Sequence, residues 1–270
     1  DSQAKGFLIG ATSGRTTLNG EGLQHQDGHS HIFSSTIPNC RSYDPAYAYE
    51  LAVIFKDGIK KMFVDLENYF YYITVTNENY LQPAQPEDSE DGIVRGLYKL
   101  NEHEHSSPQV TLIGSGSILN ESIQAQQILE SLGISSDVWS ATSFNMLRKD
   151  GMEKGRFNEL NPTLKPKITY VEECLPSSER PVIAATDYMR AYPEQIRSFI
   201  KAPYYTLGTD GYGRSDSRKK LREFFEVDAN NIARLAIYSL FRKGDISKKE
   251  ISFFYKKLKV DSNKSNPWEV

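Results

Sequence analysis

The sequence contains little cysteine and no long apolar run. Its two cysteines, Cys40 and Cys174, are far apart, and neither lies in a metal-binding spacing. This pattern favours free thiols in a reducing cytosol and leaves a single disulfide as the alternative. No stretch approaches the roughly 18 apolar residues of a membrane-spanning helix, and the N-terminus lacks the basic and apolar regions of a secretory signal. We therefore expect a cytoplasmic protein that makes no use of a membrane.

The chain also lacks an excess of charge of either sign. It carries 32 basic and 35 acidic residues, for a net charge of -3, and 39% of its residues are hydrophobic. That balance argues against nucleic acid as a partner and is typical of a globular protein. A length of 270 residues predicts about two domains. No methionine precedes Met62, and a strand-like run begins at Gly6, so we expect a piece of a longer protein.

Short apolar runs alternate with helix-like segments along the chain. This alternation predicts an α/β fold with a mostly parallel sheet that is covered by helices on both faces. The polar, acidic and proline-containing segment 82–91 predicts a linker, and segment 101–109 predicts a loop. The strand candidates are residues 7–9, 37–43, 69–75, 96–100, 110–113, 137–141, 181–186 and 204–207, and the helix candidates include 45–62, 118–132, 143–149 and 193–200.

The last third of the chain has helix-start signals. Asp228 is a candidate N-cap, and residues 247–250 (Ser-Lys-Lys-Glu) fit a capping box, in which serine and glutamate satisfy free backbone donors. The second of these helices carries apolar residues spaced along one face, which predicts that the face is part of the core. Those residues are Ile251, Phe254, Tyr255 and Leu258.

The most unusual segment is residues 20–31, which we name the histidine loop. It holds three of the five histidines in the chain, His25, His29 and His31, together with Glu21, Asp27 and three glycines. An active-site loop explains this composition best, with a histidine that transfers protons and a carboxylate that sets its tautomer. A zinc site, with His29 and His31 on one face of a strand, and an ordinary solvated loop are the alternatives. The spacing matches no metal signature, so we expect no metal site.

Two other glycine-rich segments have weaker signals. Residues 114–117 (Gly-Ser-Gly-Ser) follow a strand and open a helix, where a phosphate-binding loop belongs, but Leu119 stands where the dinucleotide motif needs a third glycine. A tight strand-to-helix turn is therefore favoured over a nucleotide site. Residues 208–217 predict a structural turn, with Ser215 or Asp216 as the cap of the next helix and Arg214 as a candidate anion partner.

Long runs of the sequence resemble the homodimeric bacterial pyruvate dehydrogenase E1 component. The similarity begins at residues 6–10 and continues through 12–25 (Thr-Ser-Gly-Arg-Thr-Thr-Leu-Asn-Gly-Glu-Gly-Leu-Gln-His) and 27–31 (Asp-Gly-His-Ser-His). It extends over essentially the whole chain. The other segments that carry it are 36–40, 42–49, 77–80, 112–119, 186–189, 208–211, 213–217 and 225–229.

The resemblance implies part of a thiamine diphosphate enzyme of the transketolase-like superfamily. Residues 1–90 would be the C-terminal part of the pyrimidine-binding domain, a remnant of a parallel-sheet domain. Residues 91–270 would be a transketolase C-terminal-like, mostly parallel α/β domain. Thiamine diphosphate and Mg²⁺ would bind the full-length enzyme, but the main ligands are not in this chain, because no Gly-Asp-Gly motif occurs and the catalytic glutamate of the family aligns upstream of Asp1.

The resemblance also implies catalytic residues. His25 matches the active-site histidine of the family, Glu21 matches the acidic residue before it, and His31 aligns with a histidine that faces substrate in transketolases. Gln26 stands where many relatives have glutamate. The family decarboxylates pyruvate and transfers the acetyl group to the lipoyl group of its partner, the dihydrolipoyl acetyltransferase (E2).

These implications lead to a specific expectation for the chain. It should contribute the histidine loop and homodimer surface to the enzyme, and by itself it should be inactive. With early strands of its sheet missing, the first domain should expose a sheet edge and an apolar face. An isolated transketolase C-terminal-like module with an interaction or regulatory role is the alternative, and a dehydrogenase of another 2-oxo acid is a third possibility.

Overall fold

The computed structural model describes residues 2–11, 13–101 and 109–269, and the predicted loop 101–109 lies almost entirely outside them. Within these ranges the chain forms a three-stranded and a five-stranded sheet. The strands are β1 (Phe7–Gly10), β2 (Cys40–Tyr43), β3 (Phe70–Thr74), β4 (Tyr98–Asn101), β5 (Val110–Gly114), β6 (Ser136–Ser140), β7 (Val182–Ala185) and β8 (Tyr204–Leu207).

Helices fill the connections between the strands. Two short 3₁₀ helices, Leu23–His25 and Pro193–Phe199, accompany the α-helices. The α-helices are α1 (Ser30–Ser35), α2 (Ala48–Ile59), α3 (Glu90–Arg95), α4 (Ile118–Ser131), α5 (Phe144–Leu160), α6 (Tyr170–Cys174), α7 (Arg218–Phe225), α8 (Ala229–Lys243) and α9 (Lys248–Lys257).

The first sheet is parallel, with the order β1-β3-β2. Its central strand β3 is rich in aromatic and β-branched residues, which suit a pleated and half-buried surface, and Tyr71 and Ile73 are fully buried. The outer strand β1 has no further partner among the described residues, and its Leu8 and Ile9 are 60% and 47% exposed. The sheet therefore has the uncovered edge and apolar side chains that the sequence leads us to expect.

The second sheet confirms the predicted mostly parallel α/β architecture. Its order is β4-β6-β5-β7-β8, and only the outer strand β4 is antiparallel to its neighbour. Strand β5 is buried on both faces, as is usual for a central parallel strand under helices. The carboxyl ends of β5, β7 and β8 lie at one edge, where ligands of α/β proteins commonly bind.

The two sheets share their hydrophobic cores. Ile93 and Tyr98 pack into the core of the first sheet with Tyr43 and Tyr71, and Ala46 and Tyr47 pack into one core of the second sheet. The Tyr98 hydroxyl also donates to the buried Glu50 carboxylate at 2.6 Å. The predicted boundary between residues 90 and 91 remains a prediction.

The C-terminal helices begin largely where the sequence predicts. Asp228 caps α8, and Ser247 and Glu250 form the capping box of α9. The cap of α7 is Ser217, whose side chain accepts from the backbone N–H of Lys220, so the prediction of Ser215 or Asp216 is wrong. The apolar stripe of α9 packs against the core but is only partly buried, because this helix covers the outside of α8.

Other element boundaries differ from the sequence-based ones for identifiable reasons. Helix α5 extends to Leu160 rather than ending near residue 149, because its polar second half lies at the surface and has no apolar periodicity to reveal it. The helix expected at 45–62 begins at Ala48 and ends in a π-helical turn at Lys60–Val64. Among the described residues, no helix has the length and apolar character that crossing a membrane requires.

Candidate functional site

The histidine loop folds as a 3₁₀ turn followed by the start of α1. His25 ends the turn Leu23–His25, and His29 is the N-cap of α1. Residues 29 and 31 therefore lie at a helix start, and the shared strand face that the zinc alternative required is not formed. The Asp27 carboxylate accepts hydrogen bonds from the backbone N–H groups of His29 and Ser30, each at 3.0 Å. Because helix starts have unpaired N–H groups, Asp27 stabilises this geometry rather than pairing with a histidine.

Glu21 and His25 lie on the exposed part of the loop. Their backbone is held by the turn, in which the His25 N–H donates to the Gly22 carbonyl at 3.0 Å. Exposed side chains on a positioned loop are accessible to a substrate or to another protein surface. The structure thus leaves both predicted catalytic groups available, and their catalytic role remains a prediction.

His31 has a very different environment. Its side chain is fully buried, and its Nε2 lies 3.0 Å from the Thr74 hydroxyl. The imidazole stacks on Tyr192 and meets the edge of Tyr188. Burial disfavours the charged form and lowers the pKa of His31 to about 3, although the charge of Asp27 acts in the opposite direction. His31 is therefore a neutral interior group in this structure, without contact with solvent.

A buried hydrogen-bond chain connects His31 with the second sheet. The Thr74 hydroxyl donates to Asp44 Oδ1 at 2.7 Å, and the Ser115 hydroxyl donates to Asp44 Oδ2 at 3.0 Å. Thr74 thus lies between the His31 imidazole and the Asp44 carboxyl group, and its hydroxyl joins the two. Burial raises the pKa of Asp44 to about 7, and the two hydroxyl donors oppose that shift.

The same aspartate explains the turn at residues 114–117. Gly116 has a φ of +50°, and a Cβ at this position would lie 2.6 Å from Asp44 Oδ2. The Gly116 N–H donates to the backbone carbonyl of Asp44 at 3.1 Å. A phosphate at this turn would meet the Asp44 carboxyl group, so the geometry supports the tight turn over the nucleotide site.

A second loop, residues 208–217, packs against the histidine loop, and we name it the Gly208 loop. The buried Arg15 donates through Nη1 to the Thr209 carbonyl at 2.8 Å and also to the Gly211 carbonyl. The backbone N–H of Gly20 donates to the Asp216 carbonyl at 3.0 Å. These bonds fix the position of the histidine loop relative to the carboxyl edge of the second sheet.

Asp187, just beyond β7, holds the segment before the histidine loop. Its two carboxylate oxygens accept from the backbone N–H of Thr16 at 3.2 and 3.1 Å, and its carbonyl accepts from the Arg15 N–H. Burial raises the pKa of Asp187 to about 6, while the positive charge of Arg222 acts against the shift. Asp187 therefore positions backbone atoms and is not exposed to a ligand.

Arg222 connects the first sheet region with the C-terminal helices. Its guanidinium group pairs with Glu78 and with Glu121, the latter at 3.1 Å, and its Nε donates to the Thr16 hydroxyl at 3.2 Å. The side chain of Arg222 is 9% exposed. A guanidinium group can donate to several acceptors at once. Arg222 can therefore bind Thr16, Glu78 and Glu121, which lie on three different segments of the chain.

The described residues do not form a metal or cofactor site of their own. They contain no group of three or more His, Cys, Asp or Glu side chains arranged to hold a metal ion. Cavities of about 210 and 260 Å³ lie beside Trp139 and beside Arg190, and neither is lined by Glu21 or His25. The residues present therefore do not by themselves fit thiamine diphosphate or Mg²⁺.

Sequence reasoning missed Asp44, Thr74, Asp187 and Arg15 as residues that build the site. Each is a single polar residue without a motif around it, a pattern that is common in α/β proteins. The one available signal was position, since Asp44, Thr74 and Asp187 end or follow strands of parallel sheets, where polar side chains gather. Cys40 and Cys174 are free thiols, as expected.

The fold places the chain in the transketolase-like class. It superposes on a transketolase from Pichia stipitis with a TM-score of 0.63 and 18% identity, covering 87% of this chain and 30% of that one. A transketolase from Leishmania mexicana gives a TM-score of 0.64 over 85% of this chain and 30% of that one, at 17% identity. At these identities the comparison establishes the fold alone.

Sequence comparison identifies the family. Residues 1–83 match the family model of the pyruvate dehydrogenase E1 component middle domain, and residues 96–228 match that of the transketolase-like TK C-terminal domain. The pyruvate dehydrogenase E1 components of Pseudomonas aeruginosa and Escherichia coli K12 are 55% and 52% identical to this chain over 270 residues. Each match covers 99% of this chain, and the chain spans about 30% of the length of these relatives. The chain belongs to the pyruvate dehydrogenase E1 component family.

Proposed function

We propose that this chain is part of a pyruvate dehydrogenase E1 subunit and contributes one wall of its active site. The complete subunit decarboxylates pyruvate on thiamine diphosphate and transfers the acetyl group to the lipoyl group of the acetyltransferase E2. In this proposal the wall is the histidine loop, His25 transfers or holds a proton at the reacting group, and Glu21 is its acidic neighbour. The other walls, with the cofactor and Mg²⁺ ligands, come from residues outside this chain.

One observation carries the proposal most strongly. The E1 middle-domain match, residues 1–83, contains the whole histidine loop, and the loop presents Glu21 and His25 on its exposed side. Asp187 and Asp27 hold the backbone on either side of these two residues, at Thr16 and at His29. A rigid support with exposed acid–base side chains is the arrangement that proton transfer requires.

The experiment is a graft into a relative. The corresponding 270 residues of the Pseudomonas aeruginosa E1 component are replaced by this chain, and pyruvate-dependent reduction of an artificial electron acceptor is measured. We expect the chimera to be active and the 270-residue chain alone to be inactive. Turnover by the isolated chain, or an inactive but folded and dimeric chimera, would contradict the proposal.

His25→Ala in the chimera tests the assigned residue. Loss of general acid–base catalysis should lower kcat by about 100-fold to 10,000-fold. His29→Ala is the matched control, because His29 is also an exposed histidine of the same loop. Equal losses in the two variants would assign the effect to disturbance of the loop and not to His25.

The remaining parts of the proposal concern partners and location. We infer a homodimer, E2 as the protein partner, pyruvate as the substrate and a cytoplasmic location. The exposed apolar side chains on β1 support a covering surface from another chain or segment. Comparison of pyruvate with longer 2-oxo acids in the chimera distinguishes this activity from that of a related dehydrogenase.

A non-catalytic interaction or regulatory module is the second candidate. The match of residues 96–228 to a C-terminal domain family favours this reading. The reading frame upstream of Asp1 separates the two candidates. A Gly-Asp-Gly motif and a catalytic glutamate there support the enzyme, and a stop codon followed by a start codon supports the module.

A further inference from the structure

The side chain of Gln26 forms two opposed hydrogen bonds with the backbone of a single residue, Arg214. The backbone N–H of Arg214 donates to Gln26 Oε1 at 2.8 Å, and Gln26 Nε2 donates to the Arg214 carbonyl. The two bonded groups are 188 positions apart in sequence. The Gln26 amide therefore joins the histidine loop to the Gly208 loop at the position directly after His25. Its acceptor and donor pair with the N–H and carbonyl of one residue, as in a pair of adjacent β-strands.

At position 213 the Gly208 loop lies so close to the histidine loop that there is no room for a side chain. A Cβ at position 213 would clash with the backbone carbonyl oxygen of Leu23 and would lie 3.1 Å from Gln26 Oε1. Gly213 thus brings its backbone against the 3₁₀ turn that ends in His25. The contact involves both sides of the turn: Leu23 at its start and Gln26 just after its end.

Only an amide matches the chemistry of this contact. The backbone of one residue offers one N–H donor and one carbonyl acceptor, and the glutamine side chain offers the complementary acceptor and donor. A glutamate would keep the bond from the Arg214 N–H but would place a carboxylate oxygen against the Arg214 carbonyl, where neither atom donates. An apolar side chain of the same length would leave both backbone groups without this partner.

We propose that Gln26 is a positioning residue that orients His25 by holding it against the Gly208 loop. The inference rests on the proposed function, since it assigns a task to the residue after His25. The side-chain hydrogen bonds of Gln26 given above are to backbone atoms, and in this proposal Gln26 transfers no proton. The Gly208 loop becomes part of the site through this contact, although none of its side chains is needed as a catalytic group.

The first test measures the contact itself in the isolated chain. Backbone hydrogen exchange at Arg214 should become about tenfold faster in Gln26→Met, and Gln26→Glu should give a smaller change because it keeps one acceptor. Gln24→Met is the matched control, since Gln24 lies in the same turn and its exposed side chain forms no hydrogen bond among the described residues. Unchanged exchange in Gln26→Met, or equal acceleration in the control, would overturn the proposal without reference to activity.

The second test measures the consequence in the grafted enzyme. Gln26→Met should lower kcat about tenfold while KM for pyruvate and the melting temperature remain close to those of the parent. Gly213→Ala should reproduce the loss in kcat from the opposite loop, and Gly155→Ala, where a Cβ meets nothing within 4 Å, should not. A loss that appears only as a lower melting temperature contradicts a positioning role. If His25→Ala is also without effect while the exchange result holds, the proposed function fails and the loop contact stands.

Discussion

The imidazole of His31 stacks on the ring of Tyr192, with the ring centroids 4.8 Å apart and the planes inclined by 14°. Tyr188 contributes its edge at a centroid distance of 4.7 Å, and both tyrosines are fully buried. The contact connects the histidine loop to the segment after β7. It also keeps His31 neutral, because a protonated imidazole there would lose its hydration without gaining an anionic partner in direct contact.

The buried His31 makes stability depend on acid. Its pKa is about 3 in the folded chain and about 6.5 in an unfolded one, so between pH 6.5 and 3 the unfolded state binds the proton and the folded state does not. The free energy of unfolding should fall by about 1.4 kcal/mol per pH unit between pH 6.5 and 3 from this group. His31→Phe should remove that component in urea unfolding series, whereas His29→Phe, at an exposed position, should retain it. If the free energy of unfolding of His31→Phe depends on pH as steeply as that of the parent, the acid dependence does not come from His31.

Asp44 gives the opposite dependence on pH. Its pKa is about 7 in the folded chain against about 3.8 unfolded, so its contribution is fully present below pH 3.8 and is lost as the pH rises toward 7. We expect Asp44→Asn to gain stability relative to the parent through that window, with no further gain above pH 7. Asp187→Asn should show a similar gain that ends near pH 6. Unfolding free energies at four pH values between 4 and 8 show the pH at which each variant stops gaining stability over the parent. If that pH is the same for both variants, the different pKa values assigned to Asp44 and Asp187 are wrong.

The contact between Gly116 and Asp44 predicts a steric effect beyond backbone strain. Gly116 and Gly133 both have positive φ, but a Cβ at Gly133 meets nothing within 4 Å. Gly133→Ala should cost about 1 kcal/mol from the left-handed backbone conformation alone. Gly116→Ala should cost about 2 kcal/mol more, because the added methyl group overpacks against a hydrogen-bonded carboxyl group. Equal losses in a denaturant titration would show that Asp44 moves away freely.

The Arg222 cluster should matter more than surface ion pairs do. Arg222→Met leaves Glu78 and Glu121 without their guanidinium partner, and we expect a loss of about 3 kcal/mol in the free energy of unfolding. Lys220→Met is the control on the same helix, because the Lys220–Glu223 pair is solvent-exposed and should cause no comparable loss. A double variant, Arg222→Met with Glu78→Gln, should recover part of the loss, since it removes one unpaired charge. Absence of that recovery argues against an electrostatic origin.

The fold could be predicted from sequence wherever one element carried its own signal. The buried strands at residues 110–113 and 182–185 are short apolar runs, and Asp228 and Ser247 are local capping signals, so each was identifiable in place. Helix α5 was underestimated because its outer half is polar. Local composition predicted a linker at residues 82–91, and the resemblance to the E1 family added a predicted identity for the segment on each side of it.

The site was predictable only in part. Composition identified the histidine loop, but it gave no means of separating exposed His25 from buried His31, because Tyr188 and Tyr192 lie far away in sequence. For the same reason Gln26 resembled an ordinary loop residue until Arg214 was found beside it. Residues 29–31 form the start of α1 and not the strand face of the zinc alternative, since Asp27 provides the acceptor that starts this helix.

The contacts of Arg15 with Thr209 and of Gln26 with Arg214 join residues that are 194 and 188 positions apart. Contacts between such distant residues form late, because a long segment must be ordered before they close. During synthesis the histidine loop is made long before its supports at Thr209, Arg214 and Arg222. The loop therefore obtains its shape only after residues 209–222 have been made, which ties completion of this site to synthesis of that distant segment.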